Sequence, residues 1–240
     1  MTYRHPVFGL ITIKPYATAR RIRARWVGQE LVLTVPSGLP EAELRRFLDK
    51  VSDKLLAMRP APKFRLDMTI DAPLVDFTIK SGDTGRRDVR IDVCTASPLR
   101  GKRANYTIYV SERMKDTVAD AAVQDFINRN VAAAARHATE CYVLPVARSL
   151  AAEVGKAPQH WVVRNGRSRH GCCSSKGVIT LSPKLIFLPD ELRDFIIYHE
   201  LAHLTEMNHS AAFHALCNSY CGGREAQLNA RLKAFRFPID

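Results

Sequence analysis

The pattern that most restricts this chain is His199-Glu200-x-x-His203, with His209 after five further residues. On a helix, four residues turn about 400°, so His199 and His203 stand one turn apart on the same face. Two imidazoles placed so can share one Zn²⁺ at about 2.0–2.1 Å. Glu200 leans to the same side, within reach of a metal-bound water. The flanks Phe195, Ile196, Ile197, Leu201, Ala202 and Leu204 make the helix apolar and buried. Two histidines and a glutamate inside such a helix need partners, because unpaired buried polar groups are costly. A metal satisfies all three at once. Two ligands, a general base and a water made acidic by the metal are the parts of a hydrolase.

A catalytic zinc takes a third protein ligand and keeps one position open. His209 is the leading choice, with His214 and Glu206 as rivals. Six more helical residues would carry His209 about 240° around from His203. The helix must therefore end between them. Asn208 suits the left-handed conformation that ends helices, and Ser210 suits the N-cap of a following helix. The spacing predicts helix, tight turn, helix.

Asp194 to Ser210, followed by Phe213, resembles the YgjP-like metallopeptidases, which group with the SprT-like and WLM zinc peptidases. Val163 to Gly177 resembles that family's segment ending in Arg-Trp-Gly-Ser-Cys with its Ser-Lys-Gly hairpin. Gly223-Arg-Glu-Ala-Gln-Leu-Asn-Ala-Arg-Leu resembles its C-terminal helix. The resemblance is good over about 116–236 and loose before that. It implies a zincin-like domain, His199, His203 and His209 as ligands, and Glu200 as catalytic acid and base. It also implies that extended substrate adds to an edge strand beside the active helix. Three positions depart from the family: His170 replaces its Trp, Cys172 its Ser, and His214 the aromatic after Phe213. Arg169 and His170 are the groups expected to stabilise the developing oxyanion.

The 240 residues are 46 % hydrophobic, enough for one large or two small domains with real cores. The chain reads as α+β: an antiparallel, β-rich N-terminal region over 1–115 with one helix, then a mainly helical zincin-like domain over 116–240. The predicted strands are 7–14, 22–35, 64–70, 74–80, 87–93, 105–110 and 160–164. A hairpin is predicted over 171–181, and loops at Ser81–Gly85 and Pro98–Arg103. The predicted helices are 41–58, 116–154 broken or kinked at Pro145, one opening at Pro189-Asp190, then 210–221 and 223–234. No sequence repeat is visible. The strands on both sides of the first helix are expected to share one small sheet.

The net charge of +12 is uneven: +7 over residues 1–63, +3 over 64–115 and +2 over 116–240. Arg21, Arg23 and Arg25 alternate with apolar residues and should project from one wet face. Such a patch attracts nucleic acid, anionic membrane or acidic protein, although no nucleic-acid module signature accompanies it. No apolar run reaches 18 residues and the N-terminus lacks a signal peptide, so a cytoplasmic protein without a membrane span is expected. The six cysteines read as reduced thiols, chiefly small buried hydrophobes. Three functions fit: a zinc peptidase acting on protein or peptide, a SprT-like peptidase brought to DNA by the basic sheet, or a metal-stabilised binding module without catalysis.

Overall fold

A computed structural model describes residues 2–27, 30–60, 62–95, 102–164 and 170–239. The chain packs as two compact units, Met1–Arg65 with Met114–Phe126, and Leu66–Arg113 with Ile127–Asp240.

The first unit is a four-stranded sheet covered by a helix. Its strands are β1 (Thr2–His5), β2 (Gly9–Tyr16), β3 (Arg23–Val27) and β4 (Glu30–Pro36), in the order β1-β2-β4-β3. β2 and β4 run parallel, and the two outer pairs antiparallel. Alternation decides the faces: Ile11, Ile13, Leu31, Leu33 and Val35 are buried, while Lys14, Arg23 and Arg25 are exposed. Helix α1 (Glu41–Ala57) covers the apolar face with Leu44, Leu48 and Leu55, the stripe its spacing predicts. Trp26 Nε1 donates to the Leu55 carbonyl at 2.9 Å, tying β3 to the last turn of that helix.

The second unit holds another four-stranded sheet: β5 (Thr69–Asp71), β6 (Val75–Gly82), β7 (Val89–Cys94) and β8 (Ala104–Ser111), in the order β5-β6-β8-β7. Again the central pair is parallel and the outer pairs antiparallel. The expected single antiparallel sheet is therefore two separate mixed sheets with the same strand order. Its buried Phe77 packs on Phe187, ring centroids 5.3 Å apart, and Tyr106 hydrogen-bonds His137 Nδ1 at 2.8 Å. This sheet thus packs on segments of the helical half. The predicted strand 64–70 shrinks to 69–71 for a local reason. Phe64 is buried, but its N–H donates to Gln124 Oε1 and its carbonyl accepts from Gln124 Nε2, at 2.9 and 2.8 Å. A side-chain amide takes the place of a neighbouring strand.

Helix α2 (Ala121–Ala138) is joined through a π-helical turn, Thr139–Val143, to α3 (Leu144–Glu153). Pro145 has no N–H and sits in the first turn of α3, where none is needed. Strands β9 (His160–Val163), β10 (Gly171–Cys173) and β11 (Val178–Leu181) form a third sheet in the order β10-β11-β9, so β10 is an edge. Helices α4 (Asp190–Ala202), α5 (Ala211–Tyr220) and α6 (Glu225–Ala234) complete the unit. α4 touches α3, α5, α6 and β10, which makes it the centre of the unit. Among the described residues, no helix is long and apolar enough to cross a membrane.

Leu48 is fully buried between α1 and its sheet. Leu48→Ala should destabilise the first unit by about 3 kcal/mol. A urea titration followed by Trp26 fluorescence, in a Trp161→Phe background, measures this. An unshifted midpoint would contradict the packing described.

Candidate active site

Helix α4 is amphipathic in an unusual sense, since its polar groups face inward. Phe195, Ile196, Ile197, Leu201 and Ala202 are buried, and so are Glu200 and the helix-ending His203. Asp190 and Glu191 occupy the first turn, where the helix dipole favours acids. The Arg193 side chain, only 6 % exposed, is neutralised between Asp190 and Asp194 at 2.7 and 2.8 Å. Glu191 accepts from Arg224 and Arg231, which holds α6 against the start of α4.

The helix ends at His203, in right-handed helical conformation, and turns through Leu204 and Thr205. Asn208 is not left-handed: Asp67 is the only non-glycine with positive φ among the described residues. The chain instead reverses through hydrogen-bonded turns, Thr205 and Glu206 donating to Ala202 and Ser210 donating to Asn208. Ser210 then caps α5, its hydroxyl accepting from the Phe213 N–H at 3.3 Å.

These turns bring His209 back to the helix face that carries His199 and His203. The three side chains offer ligand atoms that all lie within 4.8 Å of one another. His199 Nε2 and His209 Nε2 are 3.1 Å apart. Two nitrogens at tetrahedral positions on one zinc would be about 3.3 Å apart. The donor set therefore fits a divalent metal that accepts three imidazoles. His203 Nδ1–H donates to the Glu206 carbonyl at 3.0 Å, which leaves Nε2 with its lone pair for a metal. Glu206, expected as a rival ligand, serves through its backbone carbonyl. His214 hydrogen-bonds Glu225 through Nδ1 at 2.8 Å and stands outside the cluster.

Phe213, fully buried, is the floor beneath all three rings. It stacks on His203 with centroids 4.4 Å apart and meets His199 and His209 edge-on at 4.9 and 4.8 Å. Nothing in the spacing of the motif reveals this packing role of Phe213. Burial pushes the His199 imidazole down to about 4, with the neighbouring histidines adding to the effect, and it lowers His203 as well. Both are thus neutral near pH 7, the form that binds metal.

Glu200, 5 % exposed, lies against the edge strand. A Cβ on Gly171 would fall 2.6 Å from Glu200 Oε1, so only glycine lets β10 approach the carboxylate so closely. Glu200 and the three histidines line one cavity of about 640 Å³ with His170, Cys172, Cys173 and His214. The His170 ring lies tilted against Phe237, centroids 5.0 Å apart, and its Nδ1 is buried with no hydrogen-bond partner among the described residues. Burial and nearby Lys184 lower its pKa. Arg169 lies outside the described residues. Cys172 and Cys173, expected to be buried fillers, are half-exposed in the cavity wall, whereas Cys217 and Cys221 are buried.

A metal-free chain should lose stability on mild acidification. An unfolded histidine takes up its proton near pH 6.5, whereas folded His199 does so only near 4. Between those values the unfolded state binds more protons, so stability falls with pH across that window and levels off below it. Melting temperatures of chelator-treated protein should decline from pH 6.5 to 4, and less steeply in His199→Gln. An equal decline in both proteins would contradict the buried neutral imidazole.

The profile of the YgjP-like, metallopeptidase domain family matches residues 20–234. Among curated proteins no match was found. The crystal structure of the metallopeptidase zymogen of Pyrococcus abyssi abylysin is similar at 25 % identity, over 38 % of this chain and 92 % of that one, with a TM-score of 0.35. That structural likeness is too distant to bear on the site. The family match spans most of the chain, including every element around the three histidines. The chain belongs to the YgjP-like family of metallopeptidases and is a metal-dependent hydrolase.

Proposed function

We propose that this protein is a zinc peptidase acting on protein or peptide substrates, with His199, His203 and His209 as ligands and Glu200 as general base. The observation that carries this is the convergence of three imidazoles beside a buried carboxylate in one cavity. A module that only needed a structural metal would have no use for a carboxylate held there.

Zinc, when bound, supplies Lewis acidity toward a water molecule and toward the scissile carbonyl. Glu200 takes a proton from the attacking water as the new C–O bond forms. It returns that proton to the leaving nitrogen as the C–N bond breaks. The backbone of Gly171 limits where the carboxylate can swing, so the base is aimed before substrate arrives. Phe213 and the Glu206 carbonyl keep the imidazoles oriented. His170 is our choice for hydrogen bonding to the oxyanion, because its ring lines the cavity beside Glu200 and the three histidines. Arg169 is assigned the same role on the sequence motif alone. The Cys172 and Cys173 strand, an edge beside α4, would take extended substrate by strand addition.

Glu200→Gln should keep its metal and cleave casein about 10²–10⁴-fold more slowly. Gly171→Ala, which displaces the same carboxylate, should also keep metal and lose kcat more than it raises KM. Metal content and steady-state cleavage measure both. A fully active Glu200→Gln would overturn the mechanism.

A further inference from the structure

The wet face of the N-terminal sheet carries charge that the described chain does not balance. Residues 1–40 contain a single acid, Glu30, and six Lys or Arg residues. Glu30 accepts from the Thr12 hydroxyl and does not line the cavity that the cations share. Strand register sets Lys14 of β2 opposite Thr34 of β4, and Thr34 opposite Arg23 of β3. Residues paired in register share a face, so two cations flank one small hydroxyl in a single row across three strands. Arg20 and Arg21, on the connection between β2 and β3, join this row around a cavity of about 530 Å³. Among the described residues, no acid lines that cavity. None of the four cations has an ion pair or a side-chain hydrogen bond among the described residues.

Cations gathered around one cavity with no acid among them make a local positive potential that attracts an anionic partner. The cavity also contains an aromatic ring. Tyr16 is on the same face as Lys14, two residues along β2, and is 63 % exposed. A simple anion would engage the cations and leave this ring unused. A duplex would keep its base faces stacked inside. A single strand offers phosphates to the cations and an open base face to the ring.

We propose that this face binds single-stranded nucleic acid, with Lys14, Arg20, Arg21 and Arg23 on the phosphates and Tyr16 under a base. The site stands on the first unit alone and does not rest on the peptidase reading.

The test is fluorescence anisotropy of the full chain with a labelled oligothymidylate, across about 50–200 mM salt. Each phosphate neutralised on a single strand contributes about −0.7 to the slope of log affinity against log salt, so four predict a slope near −3. The Arg21→Ala/Arg23→Ala pair should weaken binding at least about tenfold and make the slope shallower by about 1.4. Tyr16→Ala should weaken binding by about fivefold or more and leave the slope unchanged, since stacking releases no counterions. All three positions are exposed, so far-UV circular dichroism and melting should match the parent. Absence of binding at low salt, or equal binding by the arginine variant, would overturn the site. Equal binding by Tyr16→Ala, with full competition by inorganic triphosphate or anionic vesicles, would show a bare anion site and overturn the nucleic-acid assignment.

Discussion

The structure around the active helix depends on keeping three imidazoles close together and aimed at one point. Charged imidazoles would repel at these distances, and neutral ones left unpaired would waste buried polar atoms. Burial solves the first problem, holding His199 far below its usual pKa. Direction is a matter of packing. Phe213 touches all three rings, and the Glu206 carbonyl fixes one of them. A metal would satisfy the lone pairs that remain. The helix end, the turns after it and the Ser210 cap are consequences of this requirement, because only a chain reversal returns His209 to the face of His199.

The other half of the site is the contact between α4 and the edge strand β10. Glu200 can lie where it does because Gly171 has no side chain. In the proposed mechanism this couples the base to the strand that would hold substrate, so that one element would position both the proton acceptor and the peptide backbone. The flanking ion pairs of Glu191 with Arg224 and Arg231 are partly exposed and contribute little stability each. Their value is geometric, since they set α6 along the rim of the cavity.

Much of this was legible in the sequence, and the reasons are local. The four-residue spacing of His199 and His203, the apolar flanks, Ser210 as a cap and the stripe of α1 all follow from helical period and capping chemistry. What escaped was non-local. The parallel pairings of β2 with β4, β6 with β8 and β9 with β11 depend on strands far apart in sequence, which alternation cannot reveal. The matching strand order of the first two sheets has no counterpart in sequence similarity. Phe64 looked like a strand residue because it is apolar and buried, but Gln124 took the hydrogen bonds a neighbouring strand would make. The Asn208 expectation failed because hydrogen-bonded turns from Ala202 onward reverse the chain without a left-handed residue. Gly171 belonged to a recognised motif, yet its function appears only when Glu200 is seen above it.

The most direct test of the central claim is metal content, by elemental mass spectrometry, on the parent protein and His209→Ala after equal exposure to zinc. The account predicts about one zinc per chain in the parent and its loss or marked weakening in the variant. A parent that takes up no metal, or a variant that holds it equally well, would contradict a centre built from three converging histidines.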